Sequence, residues 1–312
     1  MTRILMVTSP GGNRGPANAF QNHLNALNDS TEFEIKEWHQ LFSESELATF
    51  DVFWFSVRFH PNYYYELKKR FPEKIFWMGP NVLFEKAEVG PSDDWEKWFV
   101  SNVECDVYTN KADFYLNRAR QFFDKSKKYS VLRNCLNLKN YSVTVDQLQS
   151  PRSNDVLVYY KNRRIDNQLD RLFPRFMENI KKLDVSFDVI EYGNYNREDY
   201  FDKLANSKVC VWLSIEDFCS NAQLEAQYLN VPVIGTCYNN TDVYDTNLNV
   251  AAANMSDDKW ITWNENMPEL FSQRVENFLN KDYNTISMKP RNHILENYSY
   301  DAYAKQVKDI LG

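Results

Sequence analysis

The sequence predicts an α/β protein made of two doubly wound domains, and three observations carry that prediction. Short, nearly continuous apolar runs, such as ILMV at 4–7 and VCVWL at 209–213, suit parallel strands buried on both faces. Patterns of helical period alternate with these runs along most of the 312 residues. Near the middle, DQLQSPRSND at 146–155 is polar, aperiodic and contains Pro151, which marks a linker. The first domain is therefore expected over 1–145 and the second over 146–295.

In the first domain, the strand at 3–7 leads into a turn with Gly11, Gly12 and Gly15, then a helix that keeps Phe20, Leu24 and Leu27 on one side. The glycine spacing is neither the dinucleotide fingerprint nor a P-loop, so nucleotide hydrolysis is disfavoured. Strands follow at 33–38, 51–59 and 74–84. His60 and Asn81 lie where the last two strands end, the edge at which such sheets bind ligands, and are acceptor-side candidates. Trp95 and Trp98, three apart, read as the inward face of a helix. A further helix at 114–123 leads to a short strand, VLR. This region carries Arg118, Arg120, Lys125, Lys127, Lys128, Arg133 and Lys139 with interleaved aromatics, a pattern that suits either a solvated face or a patch for a phosphate-rich acceptor or an anionic membrane surface.

The second domain opens with a strand at 155–160, and Lys161, Arg163 and Arg164 crowd its carboxyl end. A helix through Leu172, Phe176 and Ile180 follows, then a strand at 187–194 ending at Gly193. The stretch 205–244 then reads strand, acidic loop, helix, strand. Ser220 and Asn221 are N-cap residues for a helix in which Ala222, Glu225, Ala226 and Leu229 share a face, and Asn230 suits a left-handed end. A helix start beyond a strand's carboxyl end offers N–H groups to an anion such as a diphosphate.

Composition narrows the function. A net charge of −7 and a pI near 5.3 argue against retention on nucleic acid or membrane by bulk charge. Cys105, Cys135, Cys210, Cys219 and Cys237 form no C-x-x-C pair, which indicates a reducing compartment without structural zinc. ILMV is too short for a signal-peptide core and no later run reaches membrane-spanning length, so the expectation is a cytoplasmic protein without stable membrane insertion.

The stretch from Asp217 to Gly235 resembles the donor-site signature of the retaining GT-B glycosyltransferases of the large family-four group, also called glycosyl transferases group 1. Their pattern is an acidic residue, seven residues, then Glu-Ala. Asp217, FCSNAQL and Glu225-Ala226 match that spacing, with Asp217 in place of the usual Glu and Phe218-Cys219-Ser220 in place of Gly-Phe-Gly. Asn134-Cys135-Leu136-Asn137 resembles the family's Asn-Gly-Val-Asp at the exit from the first domain, with Cys135 replacing Gly. In element order the likeness runs from Arg3 to Leu311.

The resemblance implies two Rossmann-like domains facing a central cleft, with a last helix in 296–312 crossing back to the first. It implies a nucleoside diphosphate sugar as donor substrate, a UDP-sugar being favoured, with no other cofactor and no metal; no D-x-D motif is present. It places Gly12 near the donor phosphates and gives Lys161, Arg163 and Arg164 the grip on the diphosphate. Tyr192, Gly193 and Asn194 would lie beside the base, Phe218, Cys219, Ser220 and Asn221 along the donor loop, Asp217 against the sugar, and Glu225 on the ribose. The departing diphosphate takes the acceptor proton in such enzymes, so no side-chain base is needed. The acceptor is a hydroxyl on a glycan or small molecule, or on a hydroxylated base of DNA. Other readings on the same fold are an epimerase and a non-catalytic sugar-nucleotide binder.

The register makes a testable statement about two neighbouring acids. Asp217→Asn should lower kcat roughly tenfold to a hundredfold, whereas Glu216→Gln should leave turnover near wild type. Steady-state kinetics with the opposite ranking would move the register by one residue.

Overall fold

A computed structural model describes residues 1–7, 14–38, 42–81, 93–111, 113–140, 151–161, 167–213, 221–235, 265–280 and 289–312. The chain forms two compact units, 1–138 with 297–312, and 139–296.

In the first unit, six parallel strands lie in the order β2-β1-β3-β4-β5-β6: β1 Thr2–Val7, β2 Phe33–Glu37, β3 Val52–Val57, β4 Ile75–Asn81, β5 Cys105–Asn110 and β6 Ser126–Val131. One face packs on α1 (Arg14–Asn28) through Leu24 and Leu27. The other packs on α3 (Pro61–Arg70), α4 (Asp94–Asn102) and α5 (Asp113–Phe122) through Tyr64, Leu67, Phe99, Leu116 and Ala119. A short helix, α2 (Glu44–Leu47), opens with a capping box on Ser43. Alternate strand residues serve the two cores: Trp54 and Trp77 lie in the first, Phe53, Phe55 and Phe76 in the second.

One expectation is corrected here. The strand after α5 begins at Ser126, five residues before VLR, so Lys127 and Lys128 lie on an edge strand. Their charges are engaged: Lys127 pairs with Asp106 at 2.7 Å, and Lys128 Nζ donates to Ile310 O at 2.6 Å. Lys125 donates to Ser101 O, and the Arg120 guanidinium lies 4.9 Å from the Tyr129 ring centroid. Four of the seven basic residues, Arg120, Lys125, Lys127 and Lys128, are thus engaged within the first unit. Trp95 and Trp98 do pack inward, both against the buried Phe59, though each is only partly buried; Glu96 and Phe99 are the buried residues of α4, and Trp98 Nε1 donates to the Tyr65 hydroxyl at 3.0 Å.

The last helix, numbered α11 below (Tyr300–Leu311), belongs to this unit. Tyr303, Val307 and Ile310 join the α1 core, and the Tyr303 ring stacks on His23 with centroids 4.7 Å apart. Burial, with the Lys111 charge adding to it, pushes the His23 imidazole down to about 3, so it is neutral in that stack near pH 7.

The second unit has four parallel strands in the order β10-β9-β7-β8: β7 Asn154–Tyr160, β8 Phe187–Glu191, β9 Ser207–Leu213 and β10 Val233–Gly235. α6 (Asn167–Lys182) and α9 (Met267–Leu279) cover one face through Leu169, Phe176, Met267 and Phe271. α7 (Arg197–Asn206) and α8 (Asn221–Tyr228) lie on the other, where Tyr200 meets Tyr159 at 5.6 Å between centroids. Asn230 has φ 55°, the left-handed end expected for α8. α10 (Lys289–Tyr298) leads back to the first unit. Among the described residues no helix is long and apolar enough to cross a membrane.

Gly79 carries a stringent local constraint. Its φ is +107°, and a Cβ there would sit 2.0 Å from Thr109 O. Gly79→Ala should destabilise the first unit by at least about 2 kcal/mol, since left-handed strain and backbone overlap add. Urea unfolding that shows no loss would contradict this packing.

Candidate functional site

Because β7, the first strand of the second unit, is interior, the direction of sheet growth reverses between β7 and β9. Ligands of open α/β sheets bind outside the carboxyl ends at such a point. The strand ends there are laced together past the sheet itself. Lys161 N–H donates to Leu213 O at 2.8 Å, and Tyr192 N–H donates to Tyr160 O at 2.9 Å. The Lys161 side chain is buried, and its ammonium lies 4.7 Å from the Tyr192 ring centroid. An aromatic face beside a cation this poor in water offsets part of its desolvation. Tyr192 is itself 40 % exposed, so the pair lies at the rim of the sheet rather than in the core.

Beyond β8 the chain turns at Gly193, whose φ of +85° requires glycine although a Cβ would meet nothing within 4 Å. Asn194 N–H closes the turn on Glu191 O at 3.0 Å. Asn196 then caps α7, its Oδ1 accepting from Asp199 N–H at 2.7 Å. Between turn and cap, the Tyr195 hydroxyl meets the Tyr159 hydroxyl at 3.0 Å.

α8 buries polar residues together with apolar ones. Gln223, Leu224, Glu225, Ala226, Gln227 and Tyr228 are all buried, so the helix has no solvated face over these residues. It is pinned at both ends. The Tyr200 hydroxyl donates to Ala222 O at 3.2 Å, and Arg291 Nη1 donates to Tyr228 O at 2.7 Å, a cation on the last carbonyls. Asn221 begins the helix, with its Oδ1 buried and without a partner among the described residues.

The buried carboxylate of Glu225 is the chemical centre of this arrangement. Arg197 Nη2 donates to its Oε1 at 2.8 Å. Tyr159, Tyr195 and Tyr200 surround the same charge: burial raises the pKa of each phenol above its ordinary value, and the Glu225 charge raises it further. The three phenols are therefore protonated, and so neutral, near pH 7.

Of the residues expected from the sequence, the structure brings Lys161, Tyr192, Gly193, Asn194, Asn221 and Glu225 to the carboxyl edge of this sheet or to the helix beside it. Gly12, Arg163, Arg164, Glu216, Asp217, Phe218, Cys219 and Ser220 lie outside the described residues. In the first unit, His60 is exposed and caps α3, its Nδ1 accepting from Asn62 N–H at 3.3 Å. Asn81 ends β4 opposite Val57; its side chain is outside the description. Sequence reading missed Arg197, Tyr159, Tyr195 and Tyr200. The Arg197–Glu225 pair spans 28 residues, and no local pattern announces it. Among the described residues, no group of three or more His, Cys, Asp or Glu is placed to hold a metal ion.

No protein-family model matches the chain, and no curated protein matches it in sequence. Solved structures do match it along its whole length. Sucrose-phosphate synthase from Thermosynechococcus elongatus is 12 % identical with a TM-score of 0.63, covering 100 % of this chain and 98 % of that one. Anabaena HepE in complex with UDP and glucose is 9 % identical with a TM-score of 0.64, covering 100 % and 99 %. The lipopolysaccharide outer core galactosyltransferase WaaB is 11 % identical with a TM-score of 0.61, covering 100 % and 99 %. With two parallel sheets, each wound by helices on both faces, and a last helix returned to the first unit, the chain has the GT-B fold.

Proposed function

We propose that the protein is a glycosyltransferase that moves a sugar from a nucleoside diphosphate sugar, a UDP-sugar, to an acceptor hydroxyl with retention of configuration and without a metal. The observation that carries the reading is the buried, arginine-held Glu225, one turn into the helix that follows β9 at the sheet reversal. The resemblance of the Asp217–Gly235 stretch gives that residue the ribose. Solved structures of like fold support the donor class: HepE is in complex with UDP-glucose, and the pneumococcal O-GlcNAc transferase GtfA, matched over 83 % of this chain, is in complex with UDP and GlcNAc.

Each group has a task in this reading. An ionised carboxylate accepts hydrogen bonds only, and a ribose diol donates two. Lys161, held at the carboxyl end of β7, supplies positive charge where a diphosphate leaves, and a cation in a water-poor site stabilises that developing charge more than it would in water. Arg163 and Arg164, next along the chain, add charge-assisted contacts. The departing diphosphate takes the acceptor proton on the face where the acceptor attacks, so the side chains orient and stabilise rather than exchange protons.

A mass-spectrometric donor screen tests the reading. Acceptor-dependent release of UDP from a UDP-sugar is the expected result; conversion of the donor into a different free sugar nucleotide without acceptor would assign an epimerase instead. Glu225→Ala should raise the donor KM with a smaller change in kcat, because ribose contacts act equally in ground and transition states. A kcat collapse at unchanged KM would give Glu225 another role. Turnover should also persist in EDTA, and complete loss restored by manganese would put a metal on the diphosphate.

A further inference from the structure

We infer that Arg197 is a positioning residue for the nucleotide ribose: by holding one oxygen of the Glu225 carboxylate it sets the plane in which that carboxylate meets the ribose hydroxyls. The inference rests on the nucleotide-sugar reading above and extends it to a residue outside the resembled signature.

The pair is asymmetric in a way that suits this role. The Glu225 side chain is 5 % exposed and that of Arg197 is 56 % exposed, so the carboxylate is presented from inside the unit while the guanidinium reaches it from the surface. Arg197 is itself fixed at three points. Its backbone opens α7 directly after the Asn196 cap, its guanidinium carbon lies 4.8 Å from the Phe201 ring centroid, and Nη2 donates to Glu225 Oε1 at 2.8 Å. A planar guanidinium anchored in this way fixes direction as well as charge, which a lysine would not.

The tyrosines around Glu225 have other engagements. Tyr159 and Tyr195 bond each other through their hydroxyls at 3.0 Å, and the Tyr200 hydroxyl donates to Ala222 O. The turn 192–195, which the resemblance places beside the base, and Arg197 are separated only by the capping residue Asn196. Base and ribose subsites would therefore be set by one short segment, with Arg197 as its link to α8. An arginine that only neutralised a buried charge would support every ligand of the site equally. One that orients the carboxylate supports ligands bearing a ribose diol.

The test uses that difference. Calorimetric affinities for UDP and for 2′,3′-dideoxyuridine diphosphate are compared in the wild type, Arg197→Ala, Arg197→Lys and Arg197→Gln. The wild type is expected to prefer UDP by about tenfold, as charge-assisted hydrogen bonds to the diol would give. Arg197→Ala should reduce that preference to about twofold or less by weakening UDP alone, and Arg197→Lys should restore part of it, as a cation without the fork geometry would. Equal weakening of both ligands, or an unchanged preference, overturns the inference. If Arg197→Ala does not fold, Arg197→Gln keeps an N–H donor on a shorter, uncharged side chain; an intermediate preference supports the assignment and an unaltered one overturns it. Failure of the wild type to bind UDP at all is a distinct result, which removes the nucleotide-sugar reading and this inference with it.

Discussion

A carboxylate in the middle of a helix that is buried along its length must be compensated where it stands, and the second unit is organised around meeting that demand at Glu225. Arg197 reaches it from the first turn of α7, and the cap on Asn196 fixes that turn. The Gly193 turn brings the chain from β8 to the cap, and the lacing of Tyr192 to Tyr160 and of Lys161 to Leu213 brings three strand ends to the same rim. A fold that only needed stability would place an apolar residue at 225, because a well-packed hydrophobe is often as stable as a buried ion pair. Keeping a charge there is consistent with a ligand that needs an acceptor.

The first unit solves a different problem, that of wide aromatic side chains between a sheet and its helices. Trp54 and Trp77 stack with centroids 4.3 Å apart, and both indole N–H groups are satisfied inside the core, by Gly79 O at 2.6 Å and Thr109 Oγ1 at 2.8 Å. The close approach of Gly79 to Thr109 belongs to the same arrangement. His23 and Tyr303 extend the aromatic layer to α11, and Lys128 on the edge strand binds the last carbonyls of that helix. The C-terminal segment is thereby a structural part of the first unit.

Most of the sheet framework was legible in the sequence because buried parallel strands leave an unbroken apolar signature, as Ile4–Val7 and Val209–Leu213 do. The edge strand β6 left a weaker one. It pairs on one side only, so Lys127 and Lys128 are tolerated within it and its start was displaced. The burial of α8 on every side was not legible, because three of its buried residues, Gln223, Glu225 and Gln227, are polar; its burial is a property of the packing around it. Glu225 is singled out in the sequence by its spacing from Asp217, and the structure shows it buried and paired. Its partner is not singled out there, since Arg197 sits on another helix and an ion pair of this kind has no periodicity to read.

The central claim is that a nucleoside diphosphate binds at the carboxyl edge of the four-stranded sheet, against the turn after β8 and the start of α8. Amide hydrogen exchange with and without UDP tests it most directly, because protection reports where binding orders the backbone. The account predicts added protection in peptides covering 191–197 and 221–228. UDP binding that leaves both peptides unchanged would contradict it.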